Sequence, residues 1–312
     1  MIYSRRAVLR GIGASVVVGS AGGQTVAAGS GFEVVESPTE RTLYDVERTA
    51  EGLYAVGGSG DVIERTADGW TKIIDGGPTG NGNDLFSSDV TDDGKRLWFV
   101  GSSGAIGEYD VETGSVNDLS APNDVTNNFN DVTVTGQARE ANVYVAGDSG
   151  KMYFSFDNGE TFDSTTPGSG ANLNAVDFSD TRQGHIVDGN KSVFVTDDGS
   201  TYDKIGIADA NENLYGVDSD ADDDVWICVG GGRIFQYDGT EFVPFDVGDA
   251  TLRDIEVGSG GGGLTVGGGG AVVERTDAVW TQLSTPTGKN LKAVARGSPD
   301  VAVGASGAVI ER

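Results

Sequence analysis

The chain lacks most of what side-chain catalysis draws on. Of its 312 residues one is a cysteine, Cys228, and one is a histidine, His185. A lone cysteine forms no internal disulfide, and Cys228 sits in the apolar run Val225-Trp226-Ile227-Cys228-Val229, which reads as core. A lone histidine excludes multi-histidine metal centres and makes any Ser-His-Asp triad depend on His185. Positive charge is also scarce: Lys+Arg number 21 against 48 Asp+Glu. Such a balance makes nucleic acid and anionic membrane poor partners. The glycine runs at 230–232, 260–263 and 267–270 are not followed by helical sequence, so they read as hairpin turns and not as phosphate cradles.

What the chain has instead is repetition. Its last ten residues, 303–312 (VGASGAVIER), recur almost unchanged at 56–65 (VGGSGDVIER) and 266–275 (VGGGGAVVER). Each copy reads as a strand, a glycine turn and a second strand. Weaker copies place the residue after the leading apolar one at 57, 101, 147, 188, 230, 267 and 304, in steps of 44, 46, 41, 42, 37 and 37. A period of roughly 40 residues built only from strands is the mark of propeller blades. The turn glycines are Gly57 and Gly60, Gly101 and Gly104, Gly147 and Gly150, Gly267 and Gly270, and Gly304 and Gly307. Glycine is expected there because a tight hairpin needs positive φ.

Upstream of each turn an apolar residue is followed three later by Val or Ile: Leu43/Val46, Phe129/Val132, Leu173/Val176, Leu214/Val217, Leu252/Ile255 and Leu291/Val294. The second repeat departs from this, with Phe86 and Val90 four apart, which suggests a local bulge. An aromatic opens a further strand after several turns (Trp70, Phe162, Tyr202, Phe242, Trp280). The expected fold is therefore all-β, a seven-bladed propeller with four strands per blade. The blades run roughly over 41–80, 83–124, 127–170, 171–210, 211–249, 250–288 and 289–312.

The seventh repeat stops before its outer strand. Residues 32–39 (FEVVESPT) resemble 280–287 (WTQLSTPT), the outer strand of blade six, with the same spacing from aromatic to proline to the next leucine. The N-terminal segment is thus expected to supply the missing strand and close the ring, which removes two open edges. Residues 29–312 then form one domain, expected to be a monomer. Ahead of it, Ser4-Arg5-Arg6-Ala7-Val8-Leu9-Arg10, a short apolar stretch and Val26-Ala27-Ala28 resemble a twin-arginine export signal over 1–28, centred on Arg5 and Arg6. The apolar stretch is too short to serve as a transmembrane anchor, and the chain is expected outside the cell or at its surface.

Without that signal 18 basic residues face 48 acidic ones, a net of −30. A carboxylate-rich surface of this kind suits molar salt, where charges are screened beyond about 3 Å. Two features invite a site. One is a ring of small polar residues just before the inner strands, Thr42, Asp84, Asn128, Asn172, Asn213, Thr251 and Asn290, which reads as turn chemistry bonding local backbone. The other is the run of alternate aspartates Asp218, Asp220, Asp222 and Asp224, which resembles the opening of a calcium loop; the glycine and glutamate that complete such a loop are replaced by Asp223 and Val229. Arg41, Arg253, Arg182 and Arg296 lie nearest to where a substrate-gripping arginine cluster would need them.

Ser155-Phe156-Asp157-Asn158-Gly159-Glu160-Thr161-Phe162 fits the pattern S-x-D-x-G-x-T-W with Phe for Trp; 195–202 (VTDDGSTY) and Asp68-Gly69-Trp70-Thr71 are looser forms. On these boxes and the V-G-x-x-G turns, residues 31–312 resemble the BNR/Asp-box and the Ycf48/HCF136-like photosystem-assembly propellers (WD40/YVTN-like), here of a haloarchaeal, exported type. The resemblance implies a propeller that serves hydrolases, lectins and scaffolds alike. The assembly factors bind proteins through a basic patch, and no such patch is visible in this acidic sequence. No catalytic set or cofactor motif is found. The function expected is an exported, non-enzymatic module for a protein partner or envelope component, and the alternative is a carbohydrate-active propeller, a lectin or a sialidase-like glycoside hydrolase.

Overall fold

The computed structural model describes residues 31–207 and 211–312; the export-signal residues Arg5 and Arg6 lie outside the described residues. Seven antiparallel sheets of four strands each follow one another around a ring. The innermost strands are Leu43–Arg48, Leu85–Val90, Phe129–Thr135, Leu173–Phe178, Leu214–Ala221, Leu252–Val257 and Leu291–Ala295. Each packs against the next, and the last packs against the first. The strands that follow them in each blade are near-continuous apolar runs, such as Leu53–Gly57, Arg96–Gly101 and Asp224–Val229, so the sheets bury both faces against their neighbours. Seven apolar clusters result, and each is shared by two adjacent blades. The core is thus divided among the blade junctions, each burying several side chains worth roughly 1.5–3 kcal/mol apiece.

The ring closes as the repeat arithmetic requires. Glu33–Val34 lies antiparallel to Ala308–Glu311, with Glu33 opposite Glu311 and Val34 opposite Ile310. The Val35 amide extends the pairing by donating to the Val309 carbonyl at 3.0 Å. Phe32, 6% exposed, enters the cluster between blades six and seven.

The turn glycines are used differently from the simplest expectation. Gly57 has φ −164, ordinary extended backbone. It is glycine because a Cβ there would come within 2.5 Å of the Thr42 carbonyl. Positive φ falls instead on Ser59 and Gly60 (φ 55 and 75), and a Cβ on Gly60 would run into the backbone of Gly77. The turn therefore needs space at its first glycine and both space and handedness at its last. All the predicted turn glycines occupy these two places.

The bulge expected in blade two is present in every blade. In each inner strand one residue is skipped by the pairing register, between Leu43 and Asp45, Leu85 and Ser87, Phe129 and Asp131, Leu173 and Ala175, Leu214 and Gly216, Leu252 and Asp254, and Leu291 and Ala293. Blade two is thus regular: Leu85 and Ser88, three apart, hold the places of Leu43 and Val46, and Phe86 is the skipped residue. Cys228 is a free, fully buried cysteine, as its apolar surroundings require.

Candidate functional site

A β-bulge bends its strand and re-aims one side chain. Here seven equivalent bulges aim seven side chains at one end of the central channel: Tyr44, Phe86, Asn130, Asn174, Tyr215, Arg253 and Lys292. They line a cavity of about 400 Å³ with Asp45, Asp131 and Asp254 beneath them. This end also carries the glycine turns, because Leu43 pairs with Gly57 and its counterparts do likewise.

The ring is not uniform. Asn130 and Asn174 are spent on the fold, their side-chain amides donating to the Leu173 and Leu214 carbonyls at 3.0 and 2.7 Å. The other five form an arc across blades five, six, seven, one and two. The Arg253 guanidinium stacks over Tyr215 at 4.1 Å, the Lys292 ammonium stands 5.8 Å from the Tyr44 ring centre, and Tyr44 meets Phe86 edge-on at 5.4 Å. Neither cation makes an ion pair among the described residues. Burial, and behind it the charge of Arg253, holds the Lys292 ammonium below its ordinary pKa. Two adjacent cations between aromatic faces suit a ligand that brings a carboxylate together with flat or apolar surface.

Carboxylates line the channel wall, yet they are structural. Each reaches across a blade junction to a backbone amide of the next inner strand. The Ser88 N–H donates to Asp45 at 2.6 Å, Val134 to Asp89 at 2.6 Å, Val176 to Asp131 at 2.8 Å and Ser219 to Asp177 at 2.7 Å. Val257 donates to Asp218 at 2.6 Å, and Val294 and Arg296 donate to Asp254 and Glu256 at 2.8 and 2.6 Å. Six junctions are laced in this way. At the seventh, blade seven offers Ala293 and Ala295 in the same places. There Arg48 donates to the Pro299 carbonyl at 2.6 Å, while Arg65 and the Trp70 indole both donate to Glu311, at 2.9 and 2.7 Å.

The polar ring expected to be turn chemistry is that, with a different partner. Asp84, Asn128, Asn172 and Asn290 accept from the amides of Ser59, Ser103, Ser149 and Gly269. These amides belong to the turn of the preceding blade, not to local backbone. The backbone carbonyls of all seven residues, Thr42, Asn213 and Thr251 included, accept the first amide of the turn in their own blade.

The remaining sequence candidates separate. Asp218 is buried in the inner strand and bonded to the Val257 amide; Asp222 accepts from Gln183 at 3.1 Å and Asp224 from the Trp226 indole at 3.0 Å. Asp220 is felt electrostatically by Asp218, whose carboxyl is driven well above its ordinary pKa by burial and then by Asp220 and Asp177. No group of three or more His, Cys, Asp or Glu able to hold a metal comes together among the described residues. Arg41 pairs with Asp61, Arg182 lies over Phe156, Arg253 is at the channel mouth and Arg296 is on the opposite face, so these four do not converge.

His185, Ser219 and Asp177 do meet. The imidazole Nδ1 lies 2.8 Å from the Ser219 hydroxyl. All three are buried, and Asp177 is used by the Ser219 and Phe178 amides, so the group joins blades four and five with no route for a substrate. Burial pushes the His185 imidazole down from 6.5 to about 4, against a smaller opposing pull from Asp177. The unfolded chain therefore takes up the proton first. The stability that neutral His185 contributes is present above pH 6.5 and lost as pH falls from 6.5 towards 4, by roughly 3 kcal/mol. Asp218, with its pKa raised, acts in the opposite sense: its contribution is present at acid pH and lost as pH rises. Urea titrations from pH 7 to pH 4 should show wild type losing stability relative to His185→Gln; parallel curves would remove His185 from the pH response.

The boxes are built as capped turns. The Asp157 carboxylate accepts from the Thr161 amide and hydroxyl at 2.9 and 2.6 Å, and the Gly159 amide donates to the Ser155 hydroxyl at 2.8 Å. Asp198 and Thr201 repeat the first pair of bonds, at 2.7 and 2.7 Å, with one residue fewer between them.

No protein-family model matches the chain, and no curated protein matches its sequence. Its fold is that of many solved propellers. A YCF48 bound to D1 peptide is 15% identical with TM-score 0.71, over 90% of this chain and 96% of that one. YCF48 from Cyanidioschyzon merolae is 14% identical with TM-score 0.70, over 90% and 98%. Virginiamycin B lyase from Staphylococcus aureus is 13% identical with TM-score 0.75, over 90% and 98%. At such identities the likeness is one of fold, shared by binding proteins and an enzyme alike.

Proposed function

We propose that the chain is an exported, non-enzymatic propeller that binds a partner protein through the channel-mouth face in a high-salt setting. The carrying observation is the arc Tyr215, Arg253, Lys292, Tyr44 and Phe86. It gathers three aromatics and two cations that make no ion pair among the described residues, in a chain with 48 acids. An acidic segment with an aromatic or apolar neighbour fits it. That a propeller of the same fold is bound to a peptide supports the reading. The twin-arginine-like leader supports export to the cell surface or beyond, and the net negative charge supports molar salt as the medium.

The test is a cross-linked pull-down from envelope and medium at molar salt. Wild type should recover one stoichiometric protein, and Arg253→Glu with Lys292→Glu should lower recovery at least about tenfold while the melting temperature holds. The same preparation at millimolar salt should lose its cooperative melt. Equal recovery by the double variant would rule out this face.

The carbohydrate reading keeps one observation in its favour, the aromatic wall of Tyr44, Phe86 and Tyr215 above Asp45, Asp131 and Asp254. Those carboxylates already accept amides of the next blade, which supports binding over hydrolysis.

A further inference from the structure

A second site lies on the opposite face, where blades six and seven meet. Arg275, Arg296 and Arg312 line one pocket of about 530 Å³, floored by the glycines at 260–263. Arg48 reaches the same edge from blade one, donating to the Pro299 carbonyl at 2.6 Å. Four of the eleven arginines outside the leader thus gather at this edge.

The three pocket arginines differ in what they leave free. Arg312 is satisfied by Asp300 and Glu274 at 2.7 and 2.8 Å. Arg275 donates one terminal nitrogen to the Gly261 carbonyl and lies over Trp226 at 4.7 Å, and its Nε is buried without a hydrogen-bond partner. Arg296 has no ion pair among the described residues, and its Nη1 is likewise buried without a partner. The glycine loop makes room for both. A Cβ on Gly261 would stand 3.1 Å from Arg275 Nη1, and one on Gly262 would stand 3.0 Å from Arg296 Nη2. Buried guanidinium donors are almost always satisfied, and one oxyanion can accept from two such groups at once.

We propose that this pocket binds a small oxyanion between Arg275 and Arg296. The class is a phosphate or a carboxylate, held by charge-assisted bonds from the guanidinium edges that line the pocket. Glu274, Asp277 and Asp300 also line the pocket, so long-range attraction does not steer the anion there. At molar ionic strength that matters little, because charges beyond about 3 Å are screened and contact donors decide.

The test is calorimetric titration of the intact protein in molar KCl with inorganic phosphate in one arm and acetate in the other. Saturable one-to-one binding is expected in at least one arm, and which arm saturates identifies the source. Arg296→Gln should weaken it about tenfold or more, and Arg296→Lys, which keeps charge but loses the planar fork, by a smaller factor. Gly262→Ala pushes on the Arg296 guanidinium without touching its charge and serves if Arg296→Gln fails to fold; it too should weaken binding. Arg253→Gln at the channel mouth should leave it unchanged, so failure here and failure of the partner-binding face are told apart. No saturation in either arm, or binding indifferent to Arg296 and Gly262, overturns the proposal.

Discussion

Removing residues 31–36 should cost the protein its cooperative fold. The segment contributes only a two-residue strand, Glu33–Val34, yet it does three things at once. It covers the edge of Ala308–Glu311, which would otherwise present unpaired amides and carbonyls to other chains. It places Phe32 in the junction of blades six and seven, under the Arg312 guanidinium at 4.9 Å. It also packs Val35 against the junction of blades seven and one. Among the described residues no inner-strand carboxylate laces that last junction, which uses Arg48 and the Glu311 bonds instead. Phe32→Ala alone should destabilise by about 3 kcal/mol, a large share of a typical total of about 5–15 kcal/mol. Urea titration reads both changes. The point variant should shift the midpoint with the slope unchanged, and the truncation should show no cooperative transition or should aggregate. A truncated chain with the wild-type midpoint would mean that the ring does not need its N-terminal strand.

Asp89→Ala should be strongly damaging to the channel wall. Asp89 is 4% exposed, and its carboxylate accepts from Val90 at 2.7 Å, Val134 at 2.6 Å and the Thr133 hydroxyl at 3.1 Å. Truncation leaves those donors buried without that acceptor, at about 1–3 kcal/mol each. Relief of the buried charge offsets part of this, so the expected net loss is about 3 kcal/mol. Asp89→Asn should recover little, since its amide nitrogen must face donors. Asp222→Ala, on an exposed hairpin, is the control and should stay within about 0.5 kcal/mol. Amide exchange locates the effect: the Val134 amide should lose protection before amides in blade five do. If Asp89→Ala and Asp222→Ala melt alike, the lacing is not what holds adjacent blades.

Much of this architecture was legible because repetition was. The copies at 56–65, 266–275 and 303–312 reveal the repeat, the weaker copies between them give the blade count, and the likeness of 32–39 to 280–287 gives the closure. The site was not legible by the same logic. Repeats are found by matching what stays the same, and the channel mouth is built from an inner-strand position that is not held constant from blade to blade. Spacing Leu43 to Val46 and its counterparts steps over Tyr44. Aligning blade two on Phe86 instead of Leu85 hid one of the seven. The signal lay in the residue after each leading apolar one, read around the ring as Tyr, Phe, Asn, Asn, Tyr, Arg, Lys. The structural acids were hidden for another reason. With 48 carboxylates, nothing local distinguishes buried Asp89 or Asp218 from exposed Asp222. Arg48, Arg275, Arg296 and Arg312 come from three blades and meet only once the ring has closed, so no stretch of sequence shows a basic patch.

The binding face is tested most directly by a photoreactive residue placed in turn at position 86, on the channel mouth, and at position 222, on the opposite face, with irradiation in molar salt among the native envelope proteins. The account predicts one discrete cross-linked protein from position 86, abolished by Arg253→Glu with Lys292→Glu, and none from position 222. A product from position 222 alone, or equal products from both, would contradict it.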